Sequence, residues 1–219
     1  MLKDIPVIRG RQYIASLVAE GEHGQQDFKF LISDARKIAR SVSAFANTDG
    51  GHLLIGVKDN GVIAGVRNDE DIYVVEQAAT RYCRPAVQVE FTAFRVDNGV
   101  IVIRATIPAV DQRPIECQDH DGTWHSYVRV ADENIAAHPL MVRGWKNPPS
   151  GPVAYDSTMR AVLAFVAEHP EGVDTADVAR GCGLSTRRTE SLLLNLLHLD
   201  LIKFRYHAPH FLLSANNPK

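Results

Sequence analysis

S-V-S-A-F-A-N-T-D-G-G-H-L-L-I-G-V-K-D-N-G, residues 41–61, joins a helix end, a glycine stop, a strand and a turn without a break. Upstream, Ala35, Ile38, Ala39, Val42 and Ala46 recur at helical spacing. A helix is predicted from about Asp34 to Thr48, with Ser33 as its N-cap and one face turned inward. Gly50 suits the left-handed position just beyond a helix C-terminus. His52 to Val57, with Leu53, Leu54, Ile55 and Val57, is too short for a helix between its glycines and reads as a strand buried on both faces. Asp59-Asn60-Gly61 supplies the residues of a tight hairpin, with Val62 to Val66 as the returning strand.

Working outward, Arg9 to Glu20 places Tyr13, Ile14, Leu17 and Val18 at helical spacing, and Gln26 to Ile32 alternates like a strand. Beyond the centre, Asp69 to Tyr82 is predicted helical because Ile72, Val75, Ala79 and Tyr82 share a face. Val87 to Val96 and Val100 to Ile107 read as strands joined at Asp97-Asn98-Gly99. A further hairpin runs from Pro114 to Asp119, turns at His120-Asp121-Gly122 and returns from Thr123 to Val130. Helices and strands mix without βαβ alternation, so the expected class is α+β with a largely antiparallel or mixed sheet.

Residues 147–152, N-P-P-S-G-P, are too rich in proline and glycine for a helix or a central strand and are read as a linker. The expected domains are therefore 1–146 and 153–219. In the second, Met159, Val162, Leu163 and Val166 mark a helix, Thr175 to Gly181 a short one, and Thr186 to His198 a third rich in leucine. The G-C-G-L-S turn carries the glycine of a helix-turn-helix, and Leu201 to Tyr206 with His210 to Leu213 read as a β-wing. This tail is similar to a winged helix-turn-helix domain.

A-F-A-N-T-x-G-G, then an apolar strand, I-G-V, an aspartate-rich turn and a second G-V resembles the core signature of the Schlafen-type AlbA domain. That domain is common in bacterial proteins described as DNA-binding transcriptional regulators. The resemblance is close over Ala44 to Val66 and looser from Glu22 to about Val130, where Arg113-Pro114 and Tyr127-Val128-Arg129-Val130 fit the pattern. Asp27-Phe28-Lys29 stands where the family has E-F-K, so the charge is kept on a shorter side chain.

Nucleic acid is the partner these residues point to, with double-stranded DNA first. On the last tail helix Arg187, Arg188, Ser191 and Asn195 lie off the leucine face near its N-terminal end, where a recognition helix meets bases and phosphates, and Lys203 and Arg205 on the wing could reach the flanking backbone. The tail has as many acidic as basic residues, so a dimerisation or protein-interaction module is the alternative. In the large domain Arg36, Lys37 and Arg40 share a helix face, with Lys29 on the preceding strand; they form either a phosphate-holding patch or ordinary solubilising charge. The resemblance tips this toward nucleic acid. A homodimer reading paired half-sites is the expected assembly.

Asn47, Thr48, Gly50, Gly51 and Gly56 are assigned to structure. Relatives are often described as ATP-binding, but no G-x-x-x-x-G-K-[ST] loop is present, and a helix C-terminus repels phosphate. No cofactor is expected under the regulator reading. The resemblance also implies an enzymatic alternative: some eukaryotic Schlafen proteins cleave structured RNA with a divalent metal. Carry-over makes Glu22, Asp27 and Asp59 a carboxylate set for Mg²⁺ or Mn²⁺. Asp59 is equally the residue a tight turn prefers.

The chain has 219 residues, 45% of them hydrophobic, and a net charge of −2. That size and composition fit a globular protein and exclude a globally basic nucleic-acid coat while leaving local basic faces open. Cys83, Cys117 and Cys182 are odd in number and far apart, which predicts neither a disulfide framework nor a zinc site. His207 and His210 flank a proline turn without further ligand candidates. No apolar run approaches the ~18 residues of a membrane span, and the N-terminus lacks a signal-peptide core, so the expected location is the cytoplasm.

Overall fold

The computed structural model describes residues 5–67, 70–97 and 99–216. The chain divides into two compact units, Met1–Ala137 and His138–Lys219. Among the described residues no helix is long and apolar enough to cross a membrane.

The first unit is α+β. Its larger sheet is mixed and contains β1 (Val7–Arg9), β2 (Gln26–Lys29), β3 (Gly51–Ile55), β5 (Glu90–Arg95) and β6 (Ile101–Ile107), in the order β1-β5-β6-β3-β2. β1 runs parallel to β5 and β2 parallel to β3, while the central pairs are antiparallel. The smaller sheet, all antiparallel, orders β4 (Cys83–Arg84), β7 (Glu116–Gln118), β8 (Trp124–Val130) and β9 (Glu133–Ala136).

Helix α2 (Ala35–Ala46) packs between the two sheets, and α3 (Glu70–Arg81) lies against it. Nine of the twelve α2 residues are buried, serines included. Ala35, Ala39 and Ala46 keep the helix thin enough for close approach, and Ile38, Val42 and Phe45 fill the core with Leu53, Ile55, Ile103 and Ile107. The opposite face of the larger sheet carries a second cluster: Ile14 and Leu17 of α1 (Arg11–Glu20) pack on Phe28, Leu54, Phe94 and Val102.

Several local expectations are corrected. The N-cap of α2 is Asp34, not Ser33: its Oδ1 accepts from the backbone N–H groups of Arg36 at 3.0 Å and Lys37 at 3.2 Å. β2 stops at Lys29 rather than Ile32, and the Ile32 N–H is taken by the Asp71 carboxylate at 3.0 Å. β3 ends at Ile55, because Gly56 turns to φ +98° and its carbonyl accepts from Ala64 and Gly65. Among the described residues Val62–Val66 does not form a strand; a Val57–Ile63 bridge and a Lys58–Val62 backbone hydrogen bond span that loop. The expected helix start at Asp69 and the turn residue Asn98 lie outside the described residues.

In the second unit α4 (Pro139–Lys146) is followed by α5 (Ser157–Ala167), α6 (Thr175–Gly181), α7 (Thr186–His198) and the hairpin β10 (Ile202–His207) with β11 (His210–Ala215). Val173 bridges Leu213, tying the segment before α6 to the hairpin. Leu140 of α4 is buried with Met159, Val162, Leu193 and Leu196, and Arg143 pairs with Glu190 at 2.6 Å. The compact unit therefore begins before the proline-glycine stretch at 147–152, because α4, which the sequence reading places in the first domain, shares the core of the second.

Candidate functional site

The A-F-A-N-T segment ends α2 and fastens it to the smaller sheet. Asn47 Oδ1 accepts from Ile115 N–H at 2.8 Å, while its Nδ2 donates to the carbonyls of Ile115 at 2.9 Å and Tyr127 at 3.0 Å. Ser43 Oγ donates to the Ile115 carbonyl at 2.7 Å and accepts from Tyr127 N–H at 3.0 Å. Thr48 Oγ1 donates to Ala44 O and accepts from Arg129 N–H at 2.9 Å. The Asn47 and Thr48 side chains thus bind across to another sheet as well as along the local turn. The glycines are set by backbone geometry. A Cβ on Gly50, at φ +70°, would come within 2.8 Å of Ala109 N, and one on Gly56 within 2.9 Å of the Gly65 backbone.

Glu22 and Asp27 lie side by side. Glu22 Oε1 accepts from Phe28 N–H at 2.8 Å, and Asp27 pairs with Lys29 at 2.8 Å and more distantly with Arg129 at 3.8 Å. Burial pushes the Glu22 carboxyl above its usual range, and the neighbouring Asp27 adds to the rise. Arg129, whose side chain is only 1% exposed, sits over the Phe45 ring and donates to Asn134 Oδ1 and the Gln26 carbonyl. Asp59 stays exposed in its turn. Among the described residues no three His, Cys, Asp or Glu side chains are grouped to hold a metal ion; of the three expected carboxylates the structure brings together only Glu22 and Asp27, and Asp27 is held by cations.

The basic face of α2 also differs from expectation. Arg40 grips Asp119 at 2.7 Å, and Asp119 also accepts from Tyr127 Oη at 3.2 Å. The hydrogen bond to Asp119 raises the Arg40 pKa, and burial carries the Tyr127 phenol up to about 12. Arg36 lies over the Tyr82 ring, Lys29 is held by Asp27, and Lys37 alone of the four is exposed. The four do not form one open cationic surface.

In the second unit the sequence-predicted residues gather on two neighbouring elements of the chain. Ser185 caps α7, and Arg187, Arg188 and Ser191 on its first turns are exposed, while Asn195 is half-buried. Arg188 lies 3.9 Å from Asp156. Lys203 and Arg205 are exposed on alternate positions of β10, opposite Ser214 and Leu212. His207 and His210 face each other as the last pair of that hairpin.

Sequence reasoning missed Arg104, Arg129 and the pair Lys58 and Arg67, which flank the Phe30 ring at 5.0 and 5.8 Å. Each is defined by contacts across elements, which residue spacing does not report. Only Arg129 left a trace, in the Y-V-R-V match.

The Schlafen, AlbA_2 family model matches residues 22–138, just over half of the chain, and the protein belongs to that family. No curated protein matches the sequence. Among solved structures, the DIP2311 protein from Corynebacterium diphtheriae is similar over 77% of this chain at 21% identity and a TM-score of 0.44; the chain spans 35% of that protein's length. The N-terminal domain of a RecG-related protein from Nitrosomonas europaea is similar over 68% of this chain and 97% of its own, at 18% identity and a TM-score of 0.40.

Proposed function

We propose that this protein is a DNA-binding transcriptional regulator of the cytoplasm, its second unit a winged helix-turn-helix that reads duplex DNA and its first unit a contact to nucleic-acid backbone or to a ligand. Family membership supports a nucleic-acid-related role, since AlbA-type domains are associated with nucleic acid. The observation that carries the DNA reading is the exposed start of α7, where Arg187, Arg188 and Ser191 sit together, combined with Lys203 and Arg205 on the hairpin that follows. A helix N-terminus brings unsatisfied N–H groups toward phosphate, and arginines there can reach base edges. Two copies on paired half-sites would double the contact.

Titrating labelled duplex DNA at two salt concentrations tests this reading. Affinity is expected to fall with salt, roughly as the number of phosphates neutralised, and to drop about tenfold or more in Arg187→Ala combined with Arg188→Ala. Unchanged affinity in that folded double variant would remove the second unit from the interface. A stoichiometry of one chain per site would remove the dimer.

A further inference from the structure

Helix α1 covers only part of its sheet face. It packs on Phe28, Leu54, Phe94 and Val102. Side chains two residues along each strand share that face, and here they are Gln26, His52, Thr92, Arg104 and Thr106. The strand registers set them in two rows: Gln26, His52, Thr106 and Glu90 across one, and Leu54, Arg104 and Thr92 across the next. His52, Thr92, Arg104 and Thr106 are half-buried rather than covered.

The half-buried Arg104 guanidinium has aromatic rather than acidic neighbours. It lies over the Tyr13 and Phe94 rings at 5.6 and 5.7 Å and donates to the Tyr13 hydroxyl. Its Nε is buried with no partner, and among the described residues no carboxylate pairs with it. The guanidinium therefore keeps an open side with no counter-ion, and its buried Nε–H is left without an acceptor. Arg104 and His23 both lie close enough to His52 to disfavour its protonation. The Gln26 amide is fixed because its Nε2 donates to the carbonyls of Leu17 and Gly21, both at 2.6 Å. Its Oε1 therefore faces His52 Nε2 at 2.8 Å, so that nitrogen carries the proton and Nδ1 is bare in the neutral ring. Of the carboxylates around this face, Glu20 sits 3.8 Å from His23, and Glu90 lies on β5 beyond Thr106.

We infer that the half-open sheet face around Arg104 and His52 binds a phosphate group, with the Arg104 guanidinium as the permanent cation, Thr92 and Thr106 as hydroxyl donors, and His52 as a second donor through Nδ1 when protonated. This site lies in the first unit and deepens the proposed role of that unit as a contact to nucleic-acid backbone or a ligand; it does not depend on the DNA reading by α7. The phosphate could belong to a nucleic-acid backbone or be free in solution. In the unliganded protein burial, with Arg104 and His23 nearby, holds His52 down at about 4. An oxyanion bound beside Arg104 and His52 adds an attraction for the protonated ring that offsets this depression.

The test is an NMR pH titration of the His52 ring in the full chain, with and without inorganic phosphate at matched ionic strength, and in parallel with a single-stranded oligonucleotide lacking terminal phosphates. Phosphate is expected to raise the His52 midpoint by about one pH unit or more. The phosphate-induced shift is expected to vanish in Arg104→Gln and to persist in Arg104→Lys. His198, on the second unit, is the internal reference and should not move. A response to the oligonucleotide alone assigns a phosphodiester, and a response to inorganic phosphate assigns a free phosphate. No shift from either, or a shift that survives Arg104→Gln, overturns the site. Arg104→Leu, checked for folding by its amide spectrum, provides a second deletion of the charge. Loss of DNA affinity in the α7 variants with the His52 response intact would separate this site from the regulator reading.

Discussion

Asn47 holds both backbone polar groups of Ile115, accepting from its N–H at 2.8 Å and donating to its carbonyl at 2.9 Å. A buried amide here imitates a strand partner for a chain segment that has none on that side. Asn47→Asp removes the donors to Ile115 O and Tyr127 O and buries a charge. It is expected to cost about 3 kcal/mol, more than the roughly 2 kcal/mol of Asn47→Ala, which removes the same donors and also the acceptor for Ile115 N–H but buries no charge, while Ser43 Oγ still donates to the Ile115 carbonyl. Urea unfolding of the two variants checks the order.

Gly51 is fixed by crowding. A Cβ there would come within 2.5 Å of the Phe45 ring and 2.7 Å of the Gln25 carbonyl. Phe45 is fully buried and the carbonyl is backbone, so neither yields cheaply. Gly51→Ala is expected to destabilise by about 1–3 kcal/mol, as overpacking does. Gly24→Ala, whose Cβ would meet only Ala131 O at 4.0 Å, is expected to stay within about 0.5 kcal/mol. Thermal melts of both variants compare them.

The depressed His52 gives a pH dependence of defined sign. Between the ordinary value of 6.5 and about 4 the unfolded chain binds a proton that the folded protein refuses. Stability is therefore full above 6.5 and declines as pH falls through that window. Burial shifts His138 in the same direction, whereas Glu22 and Asp71, both raised, oppose the trend near their own titrations. The difference between wild type and His52→Gln isolates the histidine. It should shrink in favour of the variant as the solution is acidified, measured by denaturant midpoints at a series of pH values.

Cys83 and Cys117 are opposed on β4 and β7, and both are buried. Burial pushes the Cys83 thiol well above its usual range and Cys117 up to about 12. The reactive species is the thiolate, so both are expected to resist alkylation in the folded protein. Cys182, half-buried on the second unit, should be modified first, with the other two following only on unfolding. Mass spectrometry of a timed alkylation reads the order.

The centre of the fold was legible because its signals are local. Helical spacing over Ala35–Ala46, the glycine stop at Gly50 and the apolar run after it are properties of neighbouring residues. The parallel pairing of β2 with β3 and of β1 with β5 was not, since a four-residue strand carries no mark of its partner's direction. Ser33 and Asp34 are both good caps, and only hydrogen-bond geometry chose between them. The cationic face of α2 failed for a related reason: Asp119 lies 79 residues from Arg40, so its neutralising contact is invisible in the spacing of the basic residues. The Glu22, Asp27 and Asp59 set followed from family resemblance, and the structure joins only the first two. The exposed start of α7 was readable because an amphipathic leucine face defines its opposite side.

With α2 in the middle layer, each sheet rests on a surface that the other sheet helps hold in place. Fraying that helix would uncover the inner faces of both sheets together, so the first unit has no inexpensive opening around α2. Its α2 amides should exchange with solvent only when the whole unit opens. The Asp121–Thr123 end of the β7–β8 turn, by contrast, is exposed beyond the His120 contact to Asp34. Added chain is better tolerated at such a tip than in the Asn47–Gly51 segment, where the Asn47 and Thr48 side chains bond the smaller sheet and a Cβ on either glycine would meet neighbouring atoms.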